Sequence, residues 1–245
     1  MIYSEDFTLS TLICDEDDRL TIWGLARLFQ DIAGNHSDMY GVGFNGLKPQ
    51  NKAWVLTHVY YNVLRLPTAG ERLTLKTWAK PDNGLIAPRD YQLIDPDGNI
   101  CATSSSNWVL LDMNTRRVAR LHDIIKLFEE EDINSTKYSK LSKLVMPDNM
   151  QFMKKIDVPY SAIDHTRHVN NAEYMKWISD SIVNICKPRF GTRHEISEFY
   201  VNYLKETKYG DSNVIMNSTE SDKGLFFQIT NSNGIAVNAQ VVLSL

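Results

Sequence analysis

His58-Val-Tyr-Tyr-Asn-Val-Leu-Arg-Leu-Pro-Thr-Ala-Gly70 lies over Glu198-Phe-Tyr-Val-Asn-Tyr-Leu-Lys-Glu-Thr-Lys-Tyr-Gly210. Asn62 meets Asn202 and Gly70 meets Gly210, each 140 residues further on. Tyr91-Gln92 and Gly98 meet Phe227-Gln228 and Gly234 at 136, and two apolar-periodic runs match at 149, where Asp31 meets Asp180. One such match could arise by chance. Three in the same order make an internal repeat the better reading, and the falling offsets mean that the first copy carries longer loops.

Each copy reads as a helix followed by strands. In the first, Phe7 to Ile13 alternates as a strand, and Leu20 to Ala33 carries Ile22, Leu25, Leu28, Phe29 and Ile32 on one helical face. Asn35 to Lys52 reads as a Gly-rich connection. Trp54 to Leu64, Arg72 to Ala79, Tyr91 to Ile94 and Ile100 to Leu111 are strand-like, and Asp95-Pro96-Asp97-Gly98 is a strong hairpin signal. In the second, Ala172, Met175, Trp177, Ile178, Ile182 and Ile185 form the buried helical face, and Phe199 to Leu204 alternates. A long helix with about five antiparallel strands can bury the helix in a curled sheet, an α+β arrangement. The expected organisation is a first unit at 1–128, a polar linker at 129–155 and a second unit at 156–245.

The 245 residues are 43% hydrophobic, enough for one large or two small globular units. A formal net charge of −4 gives no global basic surface for nucleic acid. Cys14, Cys101 and Cys186 are odd in number and far apart, which suggests reduced thiols and a cytoplasmic protein. Met1 to Ser10 carries acids and no apolar core, so no signal peptide is expected. No run approaches the length of a membrane span. His165 and His168 without further Cys or His nearby are a weak basis for a metal site.

The copies differ where chemistry would sit. Asp164 falls on Asp15, Thr166 on Asp17 and His168 on Arg19, while Glu206 falls on Leu66 and Thr207 on Pro67. A histidine and a strand-end carboxylate therefore appear at these positions only in the second copy. Asn170 and Asn171 are N-cap candidates and Glu173 suits the first turn, so Asp164 to His168 should be the loop leading into the helix. A histidine there can act as general base or acid, and backbone N–H groups at such an end can hold an oxyanion.

Asp164-His-Thr-Arg-His168-Val-Asn-Asn-Ala-Glu-Tyr174 is similar to the Asp-x-Asn-x-His-Val-Asn-Asn-x-x-Tyr segment of the acyl–acyl-carrier-protein thioesterases of plant plastids and their bacterial relatives. Tyr203-Leu-Lys-Glu206-Thr-Lys resembles their Tyr-Arg-Arg-Glu-Cys-Gly. In the first half, Thr21 to Gln30 resembles their opening helix, Trp54-Val-Leu-Thr57 a Trp-Val-Val-Thr strand, and Asn114-Thr-Arg-Arg117 a Leu-Thr-Arg-Arg turn. The resemblance runs over nearly the whole chain and implies a double hotdog fold, in agreement with the repeat. It implies hydrolysis of fatty acyl–acyl-carrier-protein thioesters, with release of free fatty acid, no cofactor, no metal and the carrier protein as partner. The family's site falls on Asp164, Thr166, His168 and Glu206.

Two positions depart from the family: Thr166 stands for its asparagine and Thr207 for its cysteine. The second departure removes the thiol that a covalent mechanism would need there, and Cys186 reads as a core thiol. General-base hydrolysis by Glu206, or by His168 assisted by it, is the expectation. Asp164 would orient the histidine or the neighbouring backbone, and Thr166 could supply a hydroxyl in place of the asparagine. An acyl-CoA thioesterase, a hotdog dehydratase and a non-catalytic acyl-binding protein are the alternatives. The first copy would serve the acyl tail, with Leu25, Phe29, Trp54, Leu56 and Val59 as wall candidates. Carrier docking would use Arg116, Arg117 and Arg120, or Lys205 and Lys208. A homodimer is left open, since a double hotdog already contains the pairing that a single one requires.

Overall fold

The computed structural model describes residues 1–80, 84–121, 141–190 and 195–244, the side chains of 186–190 excepted. The chain divides into two compact units, Met1–Leu141 and Ser142–Leu245.

The first unit contains β1 (Tyr3–Thr8), α1 (Ile22–Met39), α2 (Phe44–Leu47), β2 (Lys52–Val63), β3 (Arg72–Ala79), β4 (Ile86–Ile94), β5 (Ile100–Asp112) and β6 (Arg117–Ala119). Its antiparallel sheet runs β1-β3-β4-β5-β2, with β6 paired to β5. The second contains β7 (Gln151–Ile156), α3 (Asn171–Phe190), β8 (Ile196–Tyr203), β9 (Val214–Ser221), β10 (Gly224–Asn231) and β11 (Gly234–Leu243). Its antiparallel sheet runs β7-β9-β10-β11-β8. Reading β7 for β1, β9 for β3, β10 for β4, β11 for β5 and β8 for β2, the two orders are identical. The repeat seen in the residues is a repeat of topology.

The glycine matches have a backbone cause. Gly70 and Gly210 take φ values of 87° and 82°, and Gly98 and Gly234 take 84° and 110°, all in the region where a Cβ is strained. The helices begin at Ile22 and Asn171, so their offset is the 149 residues read from the sequence.

Helix α1 is capped by Thr21, whose hydroxyl accepts the Gly24 N–H at 3.0 Å. Its buried stripe presses Phe29 between Tyr91 and Tyr61, with centroids 5.0 and 6.2 Å away. The stripe then turns polar. His36 and Ser37 are buried, and Arg89 on β4 donates to His36 Nδ1 at 2.8 Å and to Thr77 Oγ1 at 3.2 Å. Burial, aided by the Arg89 charge, pushes the His36 imidazole down to about 4, so it sits there neutral. Helix α3 meets its own sheet through Tyr174 against Tyr203 on β8 and the Ser181 hydroxyl against Met216 on β9.

Four boundaries differ from the sequence reading. The strand expected at Phe7 to Ile13 is β1, and Thr11–Ile13 is instead a 3-10 turn capped by Ser10. Helix α1 runs on to Met39 because its buried face continues through polar side chains. The connection expected from Asn35 to Lys52 therefore holds the end of α1 and the short α2. The linker expected at 129–155 ends early, for Gln151–Ile156 is β7, hydrogen-bonded to β9, and the second unit begins at Ser142. An edge strand with an exposed face carries Gln151, Lys154 and Lys155 and so reads as polar connector. Residues 129–140 of that linker lie outside the described residues.

Candidate active site

The loop ahead of α1 and the loop ahead of α3 are built to one plan. Each opens with a 3-10 turn, Thr11–Ile13 or Tyr160–Ala162, followed by an antiparallel bridge, Cys14 with Leu20 or Ile163 with Val169. The Asp15 N–H reaches Arg19 O at 2.9 Å, and the Asp164 N–H reaches His168 O at 3.0 Å. Asp18 and Arg167 both adopt positive φ, 59° and 67°. In each, the aspartate side chain ties the turn. Asp15 Oδ1 accepts from the N–H groups of Asp17 and Arg19 at 2.9 and 3.2 Å. Asp164 Oδ1 accepts from the N–H and hydroxyl of Thr166 at 2.8 and 2.5 Å, and its Oδ2 from Asn170 Nδ2 at 3.1 Å.

A second contact brings the strand-end loop alongside. The Leu20 N–H donates to Pro67 O, and the Val169 N–H to Thr207 O, both at 2.8 Å. That bond places residue 168 beside residue 206 in the second unit. There, His168 Nε2 and Glu206 Oε2 lie 2.9 Å apart, with side chains 15% and 32% exposed. The pair is half-sheltered yet reachable by solvent, as a water-activating base must be.

Around the pair, Thr207 and Asn231, the latter at the end of β10, are both buried. Asn231 Nδ2 donates to Glu206 O and to Thr207 Oγ1, both at 3.0 Å. Thr207 also hydrogen-bonds Tyr174, whose phenol burial pushes up to about 12. Tyr203 donates to Asn171 O at 3.0 Å. Asn170 caps α3, its Oδ1 accepting the Ala172 N–H at 2.9 Å while its carbonyl takes the Glu173 N–H at 2.9 Å.

The four residues singled out in the sequence thus come together in one loop pair, with distinct contacts. His168 and Glu206 touch. Asp164 turns to the backbone and side chain of Thr166 and to Asn170. Thr166 gives its hydroxyl to Asp164. The N–H groups of Ala172 and Glu173 are taken by the cap, so an oxyanion at this end would need other donors. Asn231 was not anticipated: 25 residues past Glu206, it reaches the site only through the β10–β11 turn. The one available signal was that Asp95, its counterpart at offset 136, is an acid.

Cys14 and Cys101 are free thiols of the first unit, both pushed up in pKa chiefly by burial, whereas His168 and Glu206 belong to the second. The Cys186 side chain lies outside the described residues. Among the described residues no cluster of three His, Cys, Asp or Glu is placed to hold a metal ion, and no helix is long and apolar enough to cross a membrane. Of the wall candidates, Leu25, Phe29, Leu56 and Val59 are buried. Trp54 packs instead against Leu47, Leu110 and Leu121 and donates to Val42 O at 2.9 Å. Arg116 and Arg117 are exposed where β5 turns into β6, and Lys205 is engaged by its ammonium with Asn233 O.

A helix set against a curled antiparallel sheet, twice over in one chain, is the double hotdog. The chain belongs to the acyl-ACP thioesterase family, hydrolases of acyl-carrier-protein thioesters: the N-terminal domain of that family matches residues 1–128 and its C-terminal domain residues 145–242. The chain is similar to the chloroplastic oleoyl-acyl carrier protein thioesterase 2 of Arabidopsis thaliana and to the oleoyl-acyl carrier protein thioesterase of Coriandrum sativum. Identities are 23% and 25%, over 97% of this chain and 68% of each relative. Two solved structures share the fold. An acyl-ACP thioesterase from Bacteroides thetaiotaomicron is 24% identical with a TM-score of 0.86, covering 99% of this chain and 98% of that one. The 12:0-ACP thioesterase of Umbellularia californica is 18% identical with a TM-score of 0.83, covering 99% and 97%.

Proposed function

We propose that the protein hydrolyses the thioester linking a fatty acyl chain to acyl carrier protein and releases the free fatty acid. The observation that carries this reading is the His168–Glu206 contact at 2.9 Å, present in the copy whose counterpart residues elsewhere are Arg19 and Leu66. Water held at the pair gives up a proton to it as the oxygen attacks the thioester carbonyl. The tetrahedral intermediate collapses, the carbon–sulfur bond breaks, and the proton passes to the departing thiolate. Base and acid are the same pair in turn. Thr207 supports a route without an acyl-enzyme, because it is buried and its hydroxyl already accepts from Asn231. Free thiols at Cys14 and Cys101 fit a reducing cytoplasm, where we also place the protein; cell fractionation checks this.

The carrier is chosen over coenzyme A by a comparison of matched substrates. Acyl carrier protein should be turned over with at least about tenfold higher kcat/KM than acyl-CoA of the same chain, a difference of about 1.4 kcal/mol in transition-state binding. Charge reversal at Arg116 and Arg117 should raise KM for the carrier-linked substrate about fivefold or more and leave small thioesters unaffected, as expected of a rim charge that steers an acidic partner. Preference for acyl-CoA would move the function to the alternative thioesterase reading. Equal effects of the reversal on both substrates would remove the docking site.

We assign the acyl tail to the first unit, which keeps the fold without the pair. Trimming Leu25 or Phe29 there should shift the preferred chain length by whole methylenes, each contributing roughly 0.8 kcal/mol of burial. Hydrolysis profiled over a chain-length series tests this; profiles that respond only to second-unit substitutions would overturn it.

A further inference from the structure

We infer that Asn231 is a positioning residue for the reaction, holding Glu206 against His168 through a clamp that includes Thr207; this rests on the thioesterase reading above. The clamp joins both halves of the pair. Thr207 O accepts the N–H of Val169, next to His168, while Asn231 Nδ2 grips the Glu206 carbonyl and the Thr207 hydroxyl. Only the amide nitrogen fits that place, since Glu206 O can do nothing but accept. The other end of the amide, Oδ1, accepts the Asn233 N–H at 2.8 Å, so the side chain is fixed at both ends.

The first unit shows what the same position does without a site. Asp95 stands there, taking the N–H groups of Asp97 and Asn99 at 3.1 and 2.8 Å and the Arg65 guanidinium at 3.3 Å. Arg65 in turn pairs with Glu71 at 2.9 Å. The matching residues of the second unit are Lys205, Asp211 and Asn231. The turn logic survives, for Asp211 accepts the Lys208 N–H at 2.9 Å as Glu71 accepts that of Thr68 at 2.6 Å. The charge at 231 does not survive. A carboxylate there could take the Thr207 hydroxyl as a donor, but it would face the Glu206 carbonyl with no N–H to offer. An amide keeps the turn-forming oxygen and adds the donor that the strand-end loop needs.

The test is steady-state kinetics on the full chain with Asn231→Asp, Thr207→Val and Thr207→Ser, beside His168→Ala, Glu206→Ala and Asp95→Asn. Asn231→Asp and Thr207→Val should lower kcat about 10- to 100-fold, in the range of an ångström-scale misplacement, with KM within about twofold. Thr207→Ser, which keeps the hydroxyl, should return kcat to within about threefold of the parent, and Asp95→Asn should leave kcat unchanged, because donors matter only where a reacting group is held. Circular dichroism confirms folding; should Asn231→Asp not fold, the valine and serine variants decide. Folded Asn231→Asp or Thr207→Val with parental kcat, or a Thr207→Ser as slow as the valine, would overturn the clamp while leaving the site intact. Parental rates in His168→Ala or Glu206→Ala would overturn the site itself, and the clamp with it.

Discussion

His168→Ala and Glu206→Gln are each expected to lose about three orders of magnitude in kcat on acyl-carrier-protein substrate, within the usual range for a removed general base. Neither should unfold the protein. Both residues sit at loop or strand ends, with side chains 15% and 32% exposed, and neither side chain supports a sheet ladder. Glu206→Gln keeps the shape and removes only the basicity. The first unit offers no rescue, since Arg19 and Leu66 occupy the equivalent places. The two residues act as one unit, so the double variant should be about as slow as either single one. Cys101→Ser, changing a buried thiol of the other unit, should keep the parental mechanism. Stopped assays on purified variants, with far-ultraviolet circular dichroism alongside, give the answer. A folded variant at either position within tenfold of the parent would sink the assignment.

What was legible in the residues had a local physical cause. Gly70, Gly210, Gly98 and Gly234 stand at positive φ, so the turns announced themselves and fixed the offsets of the repeat. Asn170 was legible as a cap because an asparagine just ahead of an apolar-periodic run can accept a first-turn N–H, as its Oδ1 does from Ala172. What stayed hidden depended on tertiary surroundings. The last turns of α1 bury His36, against Arg89, and Ser37, and periodicity counted on apolar residues stops short of them. Strand β7 is polar at an edge and passed for connector. The approach of Glu206 to His168, and of Asn231 to the Glu206 carbonyl and Thr207, is made by the Val169–Thr207 hydrogen bond and a hairpin turn, which no spacing encodes. Asp164 is the instructive residue: it belongs to the family motif, yet its counterpart Asp15 makes the same turn in a loop that carries Arg19 in place of His168.

That duplication leads to the second large effect. Asp164→Ala removes the acceptor for the Thr166 N–H, the Thr166 hydroxyl and Asn170 Nδ2. The loop from 164 to 168 then loses its brace, and His168 drifts from Glu206. A shift of about 1 Å costs on the order of 100-fold in rate, so kcat should fall by that much, less than for His168→Ala. Stability should fall by about 1–2 kcal/mol, the usual loss when an aspartate no longer satisfies loop N–H groups ahead of a helix. Asp15→Ala removes the equivalent bonds to Asp17 and Arg19 and should cost a similar amount of stability. Its kcat should be unchanged, because the loop it braces carries Arg19 where the other carries His168. Chemical denaturation separates stability from catalysis in both variants, and kinetics on the folded fraction completes the comparison. If Asp164→Ala were as slow as His168→Ala, the carboxylate would be acting on the reaction directly; if it were as fast as Asp15→Ala, the brace would not be what holds the histidine in place.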